Sequence, residues 1–243
     1  MRALIGAVRF LTRVPMPGPE TQVEDLAWAV GWFPLVGACV GLAIAGVFWG
    51  ASHLWPASAA AVLAIGFGLL LTGGFHEDGL TDAVDGLGGG FTKEKVLLIM
   101  KDSRIGAYGA MALWCALSLR AASLVALGAR ALYLLPMAML LGRWSIALLL
   151  RLLPPIAEGL AKEVHRRTAW GPFLLSTALM VLGLGVGGWL HQPRLVAALG
   201  AVVVVTLFWA WRLKTRLGGH SGDLLGACAM LTEAAALLVW MSR

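Results

Sequence analysis

From about residue 30 to residue 241 the chain passes through seven long apolar runs, at about 30–54, 56–75, 105–119, 131–150, 170–190, 195–211 and 223–241, and this succession constrains the fold more than any other feature. A helix rises about 1.5 Å per residue, so roughly 20 such residues cross the hydrocarbon core, where backbone polar groups must be satisfied within the segment itself. Charged residues make up only 13% of the 243 residues, well below the roughly one quarter usual in soluble domains. The expected fold is all-α: a polytopic integral membrane protein with about seven transmembrane helices plus a short N-terminal interfacial helix. Residues 1–243 form one integral membrane domain, with no soluble domain attached. The run at 105–119 is the shortest of the seven.

Residues 1–29 form the interfacial N-terminal segment. Arg2, Arg9 and Arg13 share a helical face there, while Leu4, Ile5, Val8 and Leu11 occupy the rest, a pattern suited to lying on a bilayer surface. The spread of arginines, followed by Pro15, Pro17 and Pro19 without a long apolar core, does not match a secretory signal. With a cytoplasmic N-terminus, seven spans put fourteen of the nineteen Lys and Arg residues inside, including Arg166 and Arg167 in a basic loop at 151–169. Arg120, Arg130, Arg194 and Arg243 fall outside and Arg143 within a span. The predicted location is a multi-pass plasma (inner) membrane protein whose active site faces the cytoplasm. The formal net charge of +6 reads mainly as an orientation signal, with attraction to anionic lipids or to a phosphate-bearing substrate as the sharper alternative. No nucleic-acid partner is expected; the lipid bilayer is one partner, and a homodimer is left open. Cys39, Cys115 and Cys228 are odd in number and set in apolar runs, and read as small core residues instead of disulfides or ligands.

The inner loop at 76–104 is the expected workplace. Its sequence GGFHEDGLTDAVDGLGGG, residues 73–90, carries Glu77, Asp78, Asp82 and Asp85 with no basic residue before Lys93. Asp78, Asp82 and Asp85 stand at i, i+4 and i+7, which places three carboxylates on one stripe of a helix, where like charges repel. A divalent cation relieves that repulsion, and oxygen-only ligands favour Mg²⁺ or Mn²⁺ over zinc. The competing reading is a solvated helix end that marks the cytoplasmic boundary. Gly74, Gly79, Gly86, Gly88, Gly89 and Gly90 are expected to let a bulky phosphate ester approach the backbone. His76 fits a ligand, a proton shuttle or an interfacial side chain. Glu77 points about 100° away from Asp78 and is the weakest member of the cluster.

Supporting groups lie elsewhere in the chain. In KDSRIGAYG, residues 101–109, Asp102 and Ser103 precede a helix and fit either a cap or an anion site. Arg104, together with Gly106 and Gly109, suggests a phosphate clamp. Arg143 sits deep in a span, where an unpartnered charge costs at least about 2.5–3.5 kcal/mol, so it needs an acid or a substrate phosphate. Glu233 in the last run is a candidate acid. In GGHSGDLLGA, residues 218–227, Asp223 either caps a helix or completes the metal site from a distant part of the chain.

FLTRVPMP at 10–17, FPLVG at 33–37, GGFHEDGLTDAVDGLGG at 73–89, IMKDSRIGAYG at 99–109 and GGHSGDLLGA at 218–227 together resemble the cobalamin synthase family, the adenosylcobinamide-GDP ribazoletransferases. Thr81 stands where an alanine is more usual. The resemblance implies a Mg²⁺-dependent enzyme, with Mn²⁺ as the other candidate ion, that joins an activated corrinoid to the nucleoside α-ribazole or its 5′-phosphate and releases GMP. It implies Asp78, Asp82, Asp85 and Asp223 as metal ligands, with Asp82, Asp85 and Asp102 as catalytic carboxylates. Arg13, His76, Ser103, Arg104, Arg143 and Ser221 are the implied substrate or phosphate contacts.

Two other classes share some of these features. CDP-alcohol phosphotransferases use a related acidic motif, but Asp78-Gly79 is followed here by Leu80, Thr81, Asp82 and Ala83 with no arginine. A cation transporter is expected to place acids mid-span in several helices, often in repeated halves.

Overall fold

The computed structural model describes residues 1–156, 162–164, 170–189 and 194–242. The basic residues Arg166 and Arg167, and Arg243, lie outside the described residues. The chain forms α1 (Arg2–Leu11), α2 (Val23–Ala51), α3 (Ala57–Thr72), α4 (Phe75–Gly89), α5 (Lys93–Met100), α6 (Ala107–Leu127), α7 (Ala131–Leu152), α8 (Trp170–Trp189), α9 (Leu195–Arg216) and α10 (Gly222–Met241), with a 3-10 turn at Gly128–Arg130. Among the described residues there is no strand, only an isolated bridge between Pro155 and His220.

Five stretches are long and apolar enough to cross a membrane: Val23–Ala51, Ala107–Leu152, Trp170–Trp189, Leu195–Arg216 and Gly222–Met241. A sixth is added if α3 and α4, which meet at 91°, count as one broken span. The 46-residue stretch is divided at Gly128 into α6 and α7, of 21 and 22 residues. Two boundaries differ most from the sequence reading. α2 begins at Val23, because Gln22 and Asp25 form a reciprocal cap in which the Gln22 amide donates to Asp25 Oδ2 at 3.1 Å. α6 continues past Arg120 to Leu127, since that arginine is neutralised inside the bundle instead of ending the helix at a surface.

The bundle is built on the contact between α2 and α7. A Cβ at Gly37 would lie 2.7 Å from the Met139 carbonyl oxygen and 2.9 Å from Arg143 Cδ, and one at Gly41 would lie 2.8 Å from Pro136 Cα. This small-xxx-small spacing lets two backbones approach, as membrane helices require when apolar burial alone gives no preference over lipid. The thiols are all free, but only Cys228 is buried; Cys39 and Cys115 face outward, so two of the three are not core residues. Apolar side chains facing outward cost nothing where the surroundings are lipid.

What shapes the site is the break between α3 and α4. Gly73 and Gly74 both take positive φ, 74° and 68°, a conformation that costs glycine no Cβ clash. The redirected α4 runs antiparallel to the first turns of α6, with Glu77 beside Arg120 and Asp85 beside Gly109. It also packs closely on the start of α10, where a Cβ at Gly79 would meet the Asp223 carbonyl oxygen at 2.9 Å.

Candidate active site

A cavity of about 500 Å³ opens at the end of the bundle where α6 and α10 begin, lined by Arg13, Gly73, Gly74, Phe75, Glu77, Asp78, Thr81, Asp82, Ser103, Ile105 and Leu113. α4 supplies the acids on successive turns, as the i, i+4 spacing predicts. Arg13 arrives from the connector after α1: its amide donates to the Leu71 carbonyl at 2.7 Å, and a Cβ on Gly73 would collide with its guanidinium. Phe10, three residues earlier, stacks on Phe33 of α2 and meets Phe75 of α4 edge-on, with centroids 5.6 and 5.2 Å apart, which ties the connector to both helices. Arg9 holds the rest of that connector by donating to the carbonyls of Met16, Gly18 and Pro19.

The charges acting on Asp82 are those of Asp78, Asp223 and Asp85, all negative. None of these four carboxylates forms an ion pair among the described residues. Asp223, at the first turn of α10, is near enough to feel Asp78 as well, so a residue 145 positions along the chain joins the acids of α4. No three His, Cys, Asp or Glu side chains among the described residues are already gathered closely enough to bind a metal. The donor chemistry of Asp78, Asp82 and Asp223 nonetheless fits a hard divalent cation, being oxygen-only and held in no ion pair among the described residues.

Other candidates are placed differently from the sequence reading. Asp85 is buried, and its carboxylate accepts the amides of Gly106 at 2.7 Å and Gly109 at 2.8 Å instead of lining the cavity. Asp102 and Arg104 form a local pair on the exposed loop, with Arg104 Nη2 2.6 Å from Asp102 Oδ2, and neither lines the cavity although Ser103 between them does. The hydrogen bonds from Arg104 draw the Asp102 carboxyl from 3.8 down to about 2, which makes it a poor proton acceptor. Ser221 caps the entrance of α10 by position, does not line the cavity, and its buried Oγ has no hydrogen-bond partner among the described residues.

The expected glycine approach for a phosphate ester is also corrected. A Cβ on Gly86 would meet Met100, one on Gly90 Val96, and one on Gly88 the Tyr108 ring. Those faces are filled by α5 and the start of α6, and only Gly73 and Gly74 reach the cavity.

Arg143 and His76 are likewise buried away from the cavity lining, at 3% and 2% exposure. They belong to an ionic cluster beneath it. Arg143 donates to Glu233 Oε2 at 2.9 Å, Arg120 donates to Glu233 Oε1 at 2.9 Å and to Glu77 Oε1 at 2.8 Å, and His76 Nδ1 lies 3.5 Å from Arg143. Two arginines and two glutamates balance, and they join α4, α6, α7 and α10. The acidic partner expected for Arg143 is present, so its charge is spent on Glu233 and not on a substrate phosphate. Arg120 was missed as a site residue because it falls where hydropathy drops; the signal available was a lone arginine followed by seven more residues without Gly, Pro or charge. Glu77 also reaches the cavity wall, so the cluster and the acid-lined opening share a border.

These features define a helical membrane protein whose open pocket offers unpaired carboxylates opposite an arginine, a combination suited to phosphoryl chemistry. The chain belongs to the cobalamin-5-phosphate synthase family, whose pattern it matches over residues 3–241. A protein of Leptothrix cholodnii named adenosylcobinamide-GDP ribazoletransferase is 39% identical to it, over 99% of this chain and 95% of the relative. One of the same name from Azorhizobium caulinodans is 41% identical over 96% and 92%, and one from Roseiflexus sp. is 37% identical over 95% and 86%. No solved structure matches the chain.

Proposed function

We propose that the protein is a Mg²⁺-dependent adenosylcobinamide-GDP ribazoletransferase of the plasma membrane, working at the cytoplasmic face in cobalamin biosynthesis. The family supports the overall reaction, and the observation that carries the site assignment is the cavity that Asp78, Asp82 and Arg13 line together, in which neither acid is held in an ion pair among the described residues. In this reaction the ribose hydroxyl of α-ribazole, or of its 5′-phosphate, attacks the cobinamide-linked phosphorus. The bond from that phosphorus to the bridging oxygen breaks, and GMP leaves.

Asp78, Asp82 and Asp223 would hold the ion, which when bound supplies charge neutralisation for the diphosphate. Mn²⁺ satisfies the same donors. Arg13 binds phosphate oxygens as a fixed donor, its position set by its backbone bond to Leu71. A donor placed in advance where negative charge develops is worth more than one that must be brought there. Ser103 offers a hydroxyl at the rim, while Phe75, Ile105 and Leu113 supply apolar wall for the rest of the substrate. The proton of the attacking hydroxyl goes to the pocket carboxylates, for which Asp82 is the candidate, and not to Asp102, whose pair with Arg104 keeps it ionised.

The test is direct. Detergent-solubilised protein incubated with adenosylcobinamide-GDP, Mg²⁺ and either α-ribazole or its 5′-phosphate is expected to yield the joined product and GMP by mass spectrometry. Absence of product with both nucleosides, or equal turnover after removal of divalent ions, would overturn the reading.

A further inference from the structure

We infer that Asp85 is a positioning residue, whose carboxylate clamps the turn before α6 so that Ser103 and Ile105 stand at the rim of the cavity. This rests on the function proposed above only for its kinetic part.

Asp85 lies one turn of α4 beyond Asp82, on the same helical stripe as Asp78, so its sequence position alone suggests a third ligand. Its surroundings assign it otherwise. Oδ2 accepts the Gly106 amide at 2.7 Å and Oδ1 the Gly109 amide at 2.8 Å, and the residue is 8% exposed. Both amides belong to the first turn of α6, where N–H groups have no partner within the helix, and a charged acceptor there is favoured by the helix dipole. The two glycines fit the clamp: a Cβ at either position would collide with the Asp85 carboxylate. The acid has therefore been given two donors and the space of two side chains. Asp78 and Asp82, in contrast, line the cavity.

The clamped turn carries the site's rim. Ser103 and Ile105 line the cavity, while Gly106 is the residue at which Asp85 grips. Between Met100, where α5 ends, and Ala107, where α6 begins, the other side-chain bonds among the described residues are those within the Asp102 and Arg104 pair, which bind the loop to itself. Asp85 thus ties this loop to α4, the helix that carries the acids. Loosening it displaces the rim while leaving Asp78, Asp82 and Asp223 in the chain, and misplacement of about 1 Å can cost on the order of 100-fold in rate.

Two variants break the clamp from opposite sides. Asp85→Asn keeps the size but turns one acceptor into a donor facing an amide; Gly109→Ala keeps every acid, fills the carboxylate's space and also presses on the Thr81 carbonyl of α4. Hydrogen exchange of the segment 102–110, followed by mass spectrometry without substrate, is expected to accelerate about tenfold or more in both variants, whereas Asp82→Asn leaves it unchanged. With substrate, both are expected to raise the KM for the activated corrinoid while the Mg²⁺ concentration for half-maximal rate stays as in the parent. Combining them should add little, as expected of two lesions in one contact. Unchanged exchange in both variants would overturn the proposal. So would a raised Mg²⁺ requirement in Asp85→Asn that Gly109→Ala does not share, because that pattern belongs to a ligand. Should Asp85→Asn fail to fold, Gly109→Ala carries the exchange test by itself. Since exchange needs no substrate, it stands or falls separately from the assigned reaction.

Discussion

Glu77 and Asp78 are neighbours in the chain, yet they belong to two groups of carboxylates solved in opposite ways. The deeper group, Glu77 and Glu233, is matched by Arg120 and Arg143 in a buried cluster joining four helices. The outer group, Asp78, Asp82 and Asp223, forms no ion pair among the described residues. A rotation of about 100° between successive helical residues is enough to send one acid inward and the next to the opening. The lesson is that a count of acids in a motif does not measure a metal site. Acids neutralised by the protein join its helices, whereas acids without an ion pair are open to neutralisation from outside, which is the division the proposed function uses.

The largest effect is expected at Arg120. Arg120→Ala leaves Glu77 and Glu233 buried with too little positive charge, and should cost about 3–5 kcal/mol, seen as a lowered midpoint of thermal unfolding in detergent. The double variant Glu77→Met with Arg120→Met, which removes both members of a pair, should cost clearly less. On the other side of the border, Asp82→Asn should lower turnover by on the order of 100-fold with little change in the unfolding midpoint. Chelation of divalent ions should reproduce that loss, and readdition of Mg²⁺ should reverse it. If the unfolding midpoint falls with Asp82→Asn as far as with Arg120→Ala, the division between frame and chemistry fails.

Gly37→Ala acts at the seam of α2 and α7, because a Cβ there meets the Met139 carbonyl and the stem of Arg143. A destabilisation of about 1–3 kcal/mol is expected, again with the Mg²⁺ requirement unmoved.

The smallest effect belongs to Asp102. Its carboxyl is lowered from 3.8 to about 2, so the pair with Arg104 contributes stability above pH 3.8 that is lost as pH falls toward 2. Asp102→Asn should abolish only that acid-side dependence. Between pH 5 and 9, by order of magnitude far above either value, turnover should follow the parent profile.

Much of this was readable from the chain itself. The apolar runs announce the bundle, and Arg143 announces a buried partner because an ionisable group at that depth cannot stand alone. The spacing of Asp78 and Asp82 places them together, and both line the cavity. What was not readable depends on tertiary contacts. Arg120 looks like the end of a span until Glu77 and Glu233 are seen around it. Gly79, Gly86 and Gly90 look like room for a substrate until α10 and α5 are found filling it. Asp85 keeps the register of its neighbours but meets two amides from a segment more than twenty residues on, and no local pattern encodes that meeting.

α10 brings Asp223 to the outer acids and Glu233 to both buried arginines. During synthesis this helix is the last of the named helices to emerge. Until it docks, Arg143 has no carboxylate partner among the described residues, Arg120 has only Glu77 among them, and the opening lacks one of its acids. Charge balance in the interior and the full set of outer acids therefore arrive together with α10, so a ribosome stalled just short of residue 222 holds a chain in which Arg143 lacks the carboxylate that α10 supplies.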